Sequence, residues 1–282
     1  MCIIRLKHII IMLAVILTVS VISFAAHTTV QTSAPAEKSV SVPILMYHSI
    51  LKHSDGNKYT VSPYAFEGDL KFLNNHGYTT VVMQDLIDYV YNGTELPEKP
   101  IVLTFDDGFY NNYYYVYPLL RQYNAKAVIS IVGSYTDEYT ENCDTNPAYA
   151  YLSWNTTREM ADSGLVEIQN HTYNLHSLDD GRMGCGKKST ESTEEYTAML
   201  TQDINSMQEK CLENLGQSPA VFTYPFGCAS DESLDVIKQL GFKASLSCEE
   251  GVNELERDPE QLYLMKRYIR TPAHGAADIL QN

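Results

Sequence analysis

From residue 43 onward, short apolar runs alternate with stretches of helical periodicity, and this alternation constrains the fold most. Pro43–Tyr47, Thr79–Met83, Ile101–Phe105, Lys126–Val132, Val166–Gln169, Ala220–Tyr224, Lys243–Ser247 and Leu262–Arg267 read as strands. Between them, Ser62-Pro63 opens a helix to about His76, with serine as cap and proline at the first position. Asp85–Tyr91, Asn111–Tyr123, Thr156–Ser163 and Glu232–Leu240 are further helices, with a kink expected at Pro118. Thr193–Leu215 is the clearest, because Tyr196, Leu200, Ile204, Met207, Cys211 and Leu215 step by three or four. Ser134–Ser153 and Thr172–Ser189 read as irregular. Strands separated by helices mean repeated βα units and a parallel sheet. The expected fold is α/β: a single distorted (β/α) barrel of about seven strands, with an open doubly wound sheet as the alternative.

The amino terminus has another character. Ile9 to Phe24 is almost wholly apolar, preceded by Arg5, Lys7 and His8 and followed by Ala25-Ala26. Residues 1–26 therefore read as a signal peptide or an amino-terminal membrane anchor, residues 27–42 as a linker and 43–282 as a single folded domain. The rest of the chain is expected outside the cytoplasm, secreted or anchored to the cell membrane through that segment. The net charge of −15 leaves no basic stripe, which argues against nucleic acid as a partner. Five cysteines follow the leader without metal-ribbon spacing; Cys211 lies on a helical stripe, and Cys228 and Cys248, each after a strand, are a candidate pair.

In β/α folds, polar groups at the carboxyl ends of strands converge on one face. Here these are His48 and Ser49, then Asp106-Asp107, Asn170-His171, Pro225 to Cys228, Cys248 and Arg267 to Arg270. Thr104-Phe105-Asp106-Asp107-Gly108 has two readings: a turn, since Asp-Gly favours one, or a site in which one carboxylate binds a cation and the other acts as base. His171 and His176, five residues apart in an irregular segment, can turn both rings to one point and favour the second reading. Two imidazoles and a carboxylate suit Zn²⁺, with Co²⁺, Ni²⁺ or Fe²⁺ as alternatives.

TFDDG, then NHTYNLH, then a Tyr-Pro-Phe-Gly strand end resembles the NodB-type polysaccharide deacetylases, carbohydrate esterase family four. The opening Pro-Ile-Leu-Met-Tyr-His and the histidine spacing are most similar to the branch that includes the poly-N-acetylglucosamine deacetylases. The resemblance runs from about Val42 to Ala273. It implies a distorted β/α barrel and metal-dependent removal of acetyl groups from N-acetylated sugars. Asp107, His171 and His176 would hold the metal and Asp106 would be the general base. A backbone N–H near Phe226 would stabilise the oxyanion, with Tyr224 and Pro225 beside the substrate.

The chain also departs from the family. Thr223 stands where many members carry the arginine that orients the base, so Arg267 or Arg270 is expected to supply the guanidinium. No tryptophan follows Trp154 and no Leu-x-His triplet lies near the end, which leaves His48 as the candidate general acid. Arg182 is a candidate sugar contact. The expected function is N-deacetylation of an N-acetylglucosamine-containing cell-envelope or extracellular polysaccharide. The alternatives are an O-acetyl, xylan-type esterase and a non-catalytic glycan-binding module of the same fold.

Overall fold

The computed structural model describes residues 39–53 and 56–281. The expected leader at residues 1–26 and most of the linker lie outside the described residues. The strands are β1 (Val40–Val42), β2 (Ile44–Tyr47), β3 (Thr79–Val81), β4 (Pro100–Phe105), β5 (Ala127–Ile131), β6 (Val166–Asn170), β7 (Val221–Thr223), β8 (Ala244–Leu246), β9 (Asn253–Leu255) and β10 (Tyr268–Ile269). Ser49–Ile50 also pairs with Thr60–Val61.

Seven strands form a curled parallel sheet in the order β8-β7-β6-β5-β4-β2-β10, and β3 pairs with the first half of β4. The last segment reaches both ends of the curl. Met265 makes a parallel bridge to Leu246, while β10 pairs with Leu45–Met46 of β2. β1, the first strand among the described residues, falls inside the expected linker and lies antiparallel to β9, which makes Val40–Val42 part of the fold.

β2, β4 and β5 are buried along their whole length, as continuous apolar runs require when both faces are covered. Side chains alternate between two cores: Leu45, Leu103 and Ile129 face one, and Ile44, Val102 and Val128 the other. Toward the carboxyl ends this second face turns polar. Val102 is followed two residues on by Thr104 and then Asp106, Val128 by Ser130, and Val221 by Thr223. The hydroxyls of Ser130 and Thr223 meet at 2.7 Å, giving the site a polar floor over an apolar interior.

Helices form at Pro63–Asn75, Met83–Asn92, Tyr117–Tyr123, Gly133–Asn142, Trp154–Asp162, Thr193–Leu215, Asp231–Gln239 and Ala276–Leu280. The Ser62 and Ser192 side chains cap two of them as expected. Three expectations change. Gly133–Asn142 is helical rather than irregular; it buries only Gly133 and Thr136, so its sequence carries no apolar stripe. The expected helix Asn111–Tyr123 is not one regular helix: a π-helical turn at Asn112–Val116 precedes Pro118 and puts it in the first turn of the α-helix, where its missing N–H costs nothing. The last strand is Tyr268–Ile269, not Leu262–Arg267, since Pro259–Leu262 coils into a 3₁₀ turn. Among the described residues, no helix is long and apolar enough to cross a membrane.

Cys211 is buried in the core. Cys228 and Cys248 are free thiols, contrary to the candidate pairing. The two strand ends do adjoin, but Gly227 rather than Cys228 abuts Cys248: a Cβ on Gly227 would lie 2.9 Å from the Cys248 Cβ. Cys228 instead offers its carbonyl to the Cys185 thiol.

Two carboxylates, Asp69 buried and Glu167 half-buried, give stability predictions. Asp69 accepts from Arg270 Nε at 2.7 Å, Tyr47 Oη at 3.0 Å and Ala276 N at 2.9 Å, tying the carboxyl-terminal segment to the Pro63–Asn75 helix. Arg270→Ala strands this carboxylate and is expected to cost about 3–5 kcal/mol, read as a melting temperature lower by roughly 10 °C. At the opposite end of the sheet from the acids, burial pushes the Glu167 carboxyl up to about 7, against hydrogen bonds from Gln84 N and the Gln169 side chain. The unfolded chain releases this proton near 4.5, so the folded state holds more protons between about 4.5 and 7 and loses stability as pH rises through that window. Glu167→Gln should remove this slope, which is worth on the order of 2–3 kcal/mol. Thermal unfolding of both proteins from pH 4 to pH 8 measures it.

Candidate active site

β4 delivers the two acids, and the turn after it separates them. Asp107 and Gly108 both adopt left-handed backbone, with φ of 72° and 74°. Gly108 admits no side chain, since a Cβ would come within 2.9 Å of Ile131. The turn and site readings of this motif are therefore compatible. Asp106 continues the strand's inward face, while Asp107 is swung toward the loop after β6.

That loop carries His171 and His176. Thr172, buried with φ of 72°, reverses the chain, and its N–H is accepted by Asn170 Oδ1. Asp203 of the long helix accepts the N–H groups of Tyr173 and Asn174, both at 2.8 Å, and Tyr135 donates its hydroxyl to the His176 carbonyl. Nε2 of His171 and His176 lie 3.4 and 3.0 Å from Asp107 Oδ1. Burial opposes charge on Asp107, but the two imidazoles outweigh it and hold the carboxyl well below its usual range.

The donor chemistry fits a divalent cation. His171 Nδ1 lies 2.8 Å from the Thr223 carbonyl, which can only accept, so Nδ1 carries the proton and Nε2 keeps its lone pair. That lone pair faces a carboxylate oxygen that is buried without a well-directed hydrogen bond. One ligand atom from each of Asp107, His171 and His176 lies within 4.8 Å of the others. A cation among them would satisfy all three.

Asp106 is 2% exposed and is not one of the three grouped ligands, though it lines the same cavity. Its oxygens accept from the Arg267 guanidinium at 2.7 and 2.8 Å, a bidentate pair. Burial raises the Asp106 pKa, but Arg267 and His171 prevail and keep it ionised. Arg267 itself is completely buried and also donates to the Ser247 carbonyl and to Thr104. It leaves the chain between the Met265 bridge and β10, where the sheet ends meet. Thr223 has a separate task, since its carbonyl orients His171.

His48, at the end of β2, lines the same cavity, its Nδ1 buried without a partner. Burial lowers its pKa, partly offset by Asp106 and Asp107. Asn112 donates to the His48 carbonyl at 3.0 Å, while Asn111 accepts from Ile50 N and donates to Ser49. The cavity measures about 590 Å³ and is also lined by Asp106, Asp107, His171, His176, Phe226 and Tyr59.

Other expected contacts lie elsewhere. Arg182 turns to Glu191, with a 2.7 Å ion pair, and to the Gly186 carbonyl, which holds the loop after the histidines. Tyr224 and Pro225 are buried behind the site, and the Tyr224 hydroxyl accepts from Ser233. Arg270 pairs with Asp69 and so does not orient Asp106. Tyr59, Asn111, Asn112 and Asp203 carry no periodicity or motif signal and emerge only from the fold.

Known proteins resemble this chain in sequence and fold. The polysaccharide deacetylase family model matches residues 93–245, more than half of the chain. The poly-beta-1,6-N-acetyl-D-glucosamine N-deacetylase of Staphylococcus aureus is 29% identical over 193 residues, 68% of this chain and 62% of that protein. The chain thus spans less than two thirds of that relative's length. A putative polysaccharide deacetylase of Bacillus subtilis is 28% identical over 237 residues, 84% of this chain and 74% of its own. The solved de-N-acetylase from Aggregatibacter actinomycetemcomitans superposes with a TM-score of 0.73 at 28% identity, covering 86% of this chain and 99% of that one. With the strand-end acids and histidines in place, the chain belongs to the polysaccharide deacetylase family.

Proposed function

We propose that this protein is a metal-dependent hydrolase that removes N-acetyl groups from an N-acetylglucosamine-containing cell-envelope or extracellular polysaccharide. The observation that carries this reading is the division of the acid pair. Asp107 meets two imidazoles at a cation-sized gap, and Asp106 is kept ionised beside it by Arg267. A binding module has no need of such an unligated, charge-compensated base. The names of the Staphylococcus and Aggregatibacter relatives support the N-acetyl substrate class.

Asp107, His171 and His176 would hold the cation, Zn²⁺ being the best fit to two nitrogens and one oxygen, with Co²⁺, Ni²⁺ or Fe²⁺ as alternatives. When bound it would polarise the acetyl carbonyl and acidify the attacking water. Asp106 takes the proton from that water, and Arg267 keeps both carboxylate oxygens aimed and the charge in place. The backbone N–H of Phe226 stabilises the developing oxyanion. His48, after taking a proton from solvent, gives it to the leaving amine; the burial that lowers its pKa makes the protonated ring a stronger acid, and Asp106 returns the water's proton to solvent. Residues 1–26, read as a leader or anchor, fit a chain that meets its polymer outside the cytoplasm.

The test is acetate release from N-acetylglucosamine oligomers, peptidoglycan and acetylated xylan, with and without a chelator. Release from the first, abolished by chelator and restored by Zn²⁺ or Co²⁺, is expected. Release from xylan alone would mean an O-acetyl esterase, and binding without release a glycan-binding module.

A further inference from the structure

Two exposed aromatic side chains line the catalytic cavity: Tyr59 is 39% and Phe226 43% exposed. Each rests on a histidine of the site. The Tyr59 ring centroid lies 4.8 Å from that of His48, and Phe226 lies 4.7 Å from His176. Strand order puts them on different flanks of the acids. His48 follows β2, immediately to one side of β4, and His176 follows β6, two strands to the other.

Both rings are held in place by backbone. The Tyr59 carbonyl accepts from Ser49 N, beside His48, and its own N–H is accepted by the Asn57 side chain. The pairing of Thr60–Val61 with Ser49–Ile50 follows at once. Phe226 occupies left-handed backbone, φ 56°, unusual for an aromatic residue and fixed by the Gly227 N to Tyr224 O turn. Left-handed backbone at a non-glycine residue such as Phe226 costs energy and is found at functional sites. An exposed ring beside a cavity offers a flat apolar face to a ligand.

We propose that Tyr59 and Phe226 form an aromatic clamp on the pyranose ring that carries the acetyl group, and that Tyr59 determines the preference for a sugar. This rests on the deacetylase reading above. A pyranose presents axial C–H groups on its face and hydroxyls on its rim, which matches an aromatic wall with a phenol at its edge. Lys58, whose ammonium lies 4.9 Å from the Tyr59 ring centroid and which also lines the cavity, is displaced or turned to the sugar's hydroxyls when the ring is covered.

Because Tyr59 touches His48, the experiment must separate substrate binding from an effect on the proposed acid. For acetate release from an N-acetylglucosamine oligomer, Tyr59→Ala is expected to raise KM roughly tenfold, the scale of losing one good aromatic contact. The kcat and the limbs of its pH profile should move far less, and Tyr59→Trp or Tyr59→Phe should restore most of KM. An unchanged KM in Tyr59→Ala, failure of both aromatic variants to rescue it, or a shifted pH limb at constant KM would overturn the clamp. Calorimetric binding of the same oligomer separates this from failure of the deacetylase reading. Binding that depends on Tyr59 without acetate release supports the clamp and sinks the reaction; release that is indifferent to Tyr59 does the reverse.

Discussion

Asp106→Asn is expected to keep its cation and lose acetate release by about 10³-fold, within the range associated with removing a general base. The amide has nearly the shape of the carboxylate, and Asp106 pairs with Arg267 rather than joining the Asp107, His171 and His176 group, so the ligand atoms stay in place. What changes is the capacity to take a proton. Arg267, completely buried and paired with both Asp106 oxygens, then faces a neutral group. That adds a stability loss of a few kcal/mol, which circular dichroism and thermal unfolding must register separately. Metal content by atomic emission, folding and kcat together define the outcome. Near-normal turnover in a folded, metal-loaded Asp106→Asn would remove Asp106 from the role of base.

Asp107→Ala should behave differently. It removes the only carboxylate of the three-residue ligand group, leaving two neutral imidazoles, and a pair of nitrogens is a much weaker site. The metal-to-protein ratio after dialysis is expected to fall from near one to background, and acetate release by at least about 10³-fold. Excess Zn²⁺ should restore little. The two variants therefore part on metal retention while agreeing on activity. If Asp107→Ala retained stoichiometric metal through dialysis, the cation would lie elsewhere and the division of labour between the acids would have to be redrawn.

Much of this was legible locally. Ser62-Pro63 and Gly77 bracket a helix through the chemistry of two or three neighbouring residues, and the Pro63–Asn75 helix follows it. The apolar run ending in Asp106-Asp107 announced both a buried strand and its functional end. The Thr193–Leu215 helix was visible from its stripe over the full length. Gly133–Asn142 was missed for the converse reason: a helix that buries two small residues leaves no pattern to find.

Pairings distant in sequence behaved otherwise. Arg267 and Arg270 are equivalent as sequence, three residues apart, and the last strand, Tyr268–Ile269, lies between them. They lie on the segment that joins the two ends of the curled sheet, and its path sends one to Asp106, 161 residues away, and the other to Asp69, 201 residues away. Cys228 and Cys248 illustrate the same limit, since a strand-end alignment brings their loops together and a one-residue offset puts Gly227 in the contact. Tyr59 lies between a loop and a two-residue strand and carries no signal until the fold sets it against His48. The amino-acid sequence alone determined the alternating β/α plan, the strand that presents the acids and the histidines that face them, because each is written in periodicity or spacing within a short window. Only the tertiary structure decided which arginine compensates Asp106, which thiols stay apart and which rings wall the cavity, because those depend on register and barrel closure summed over the whole chain.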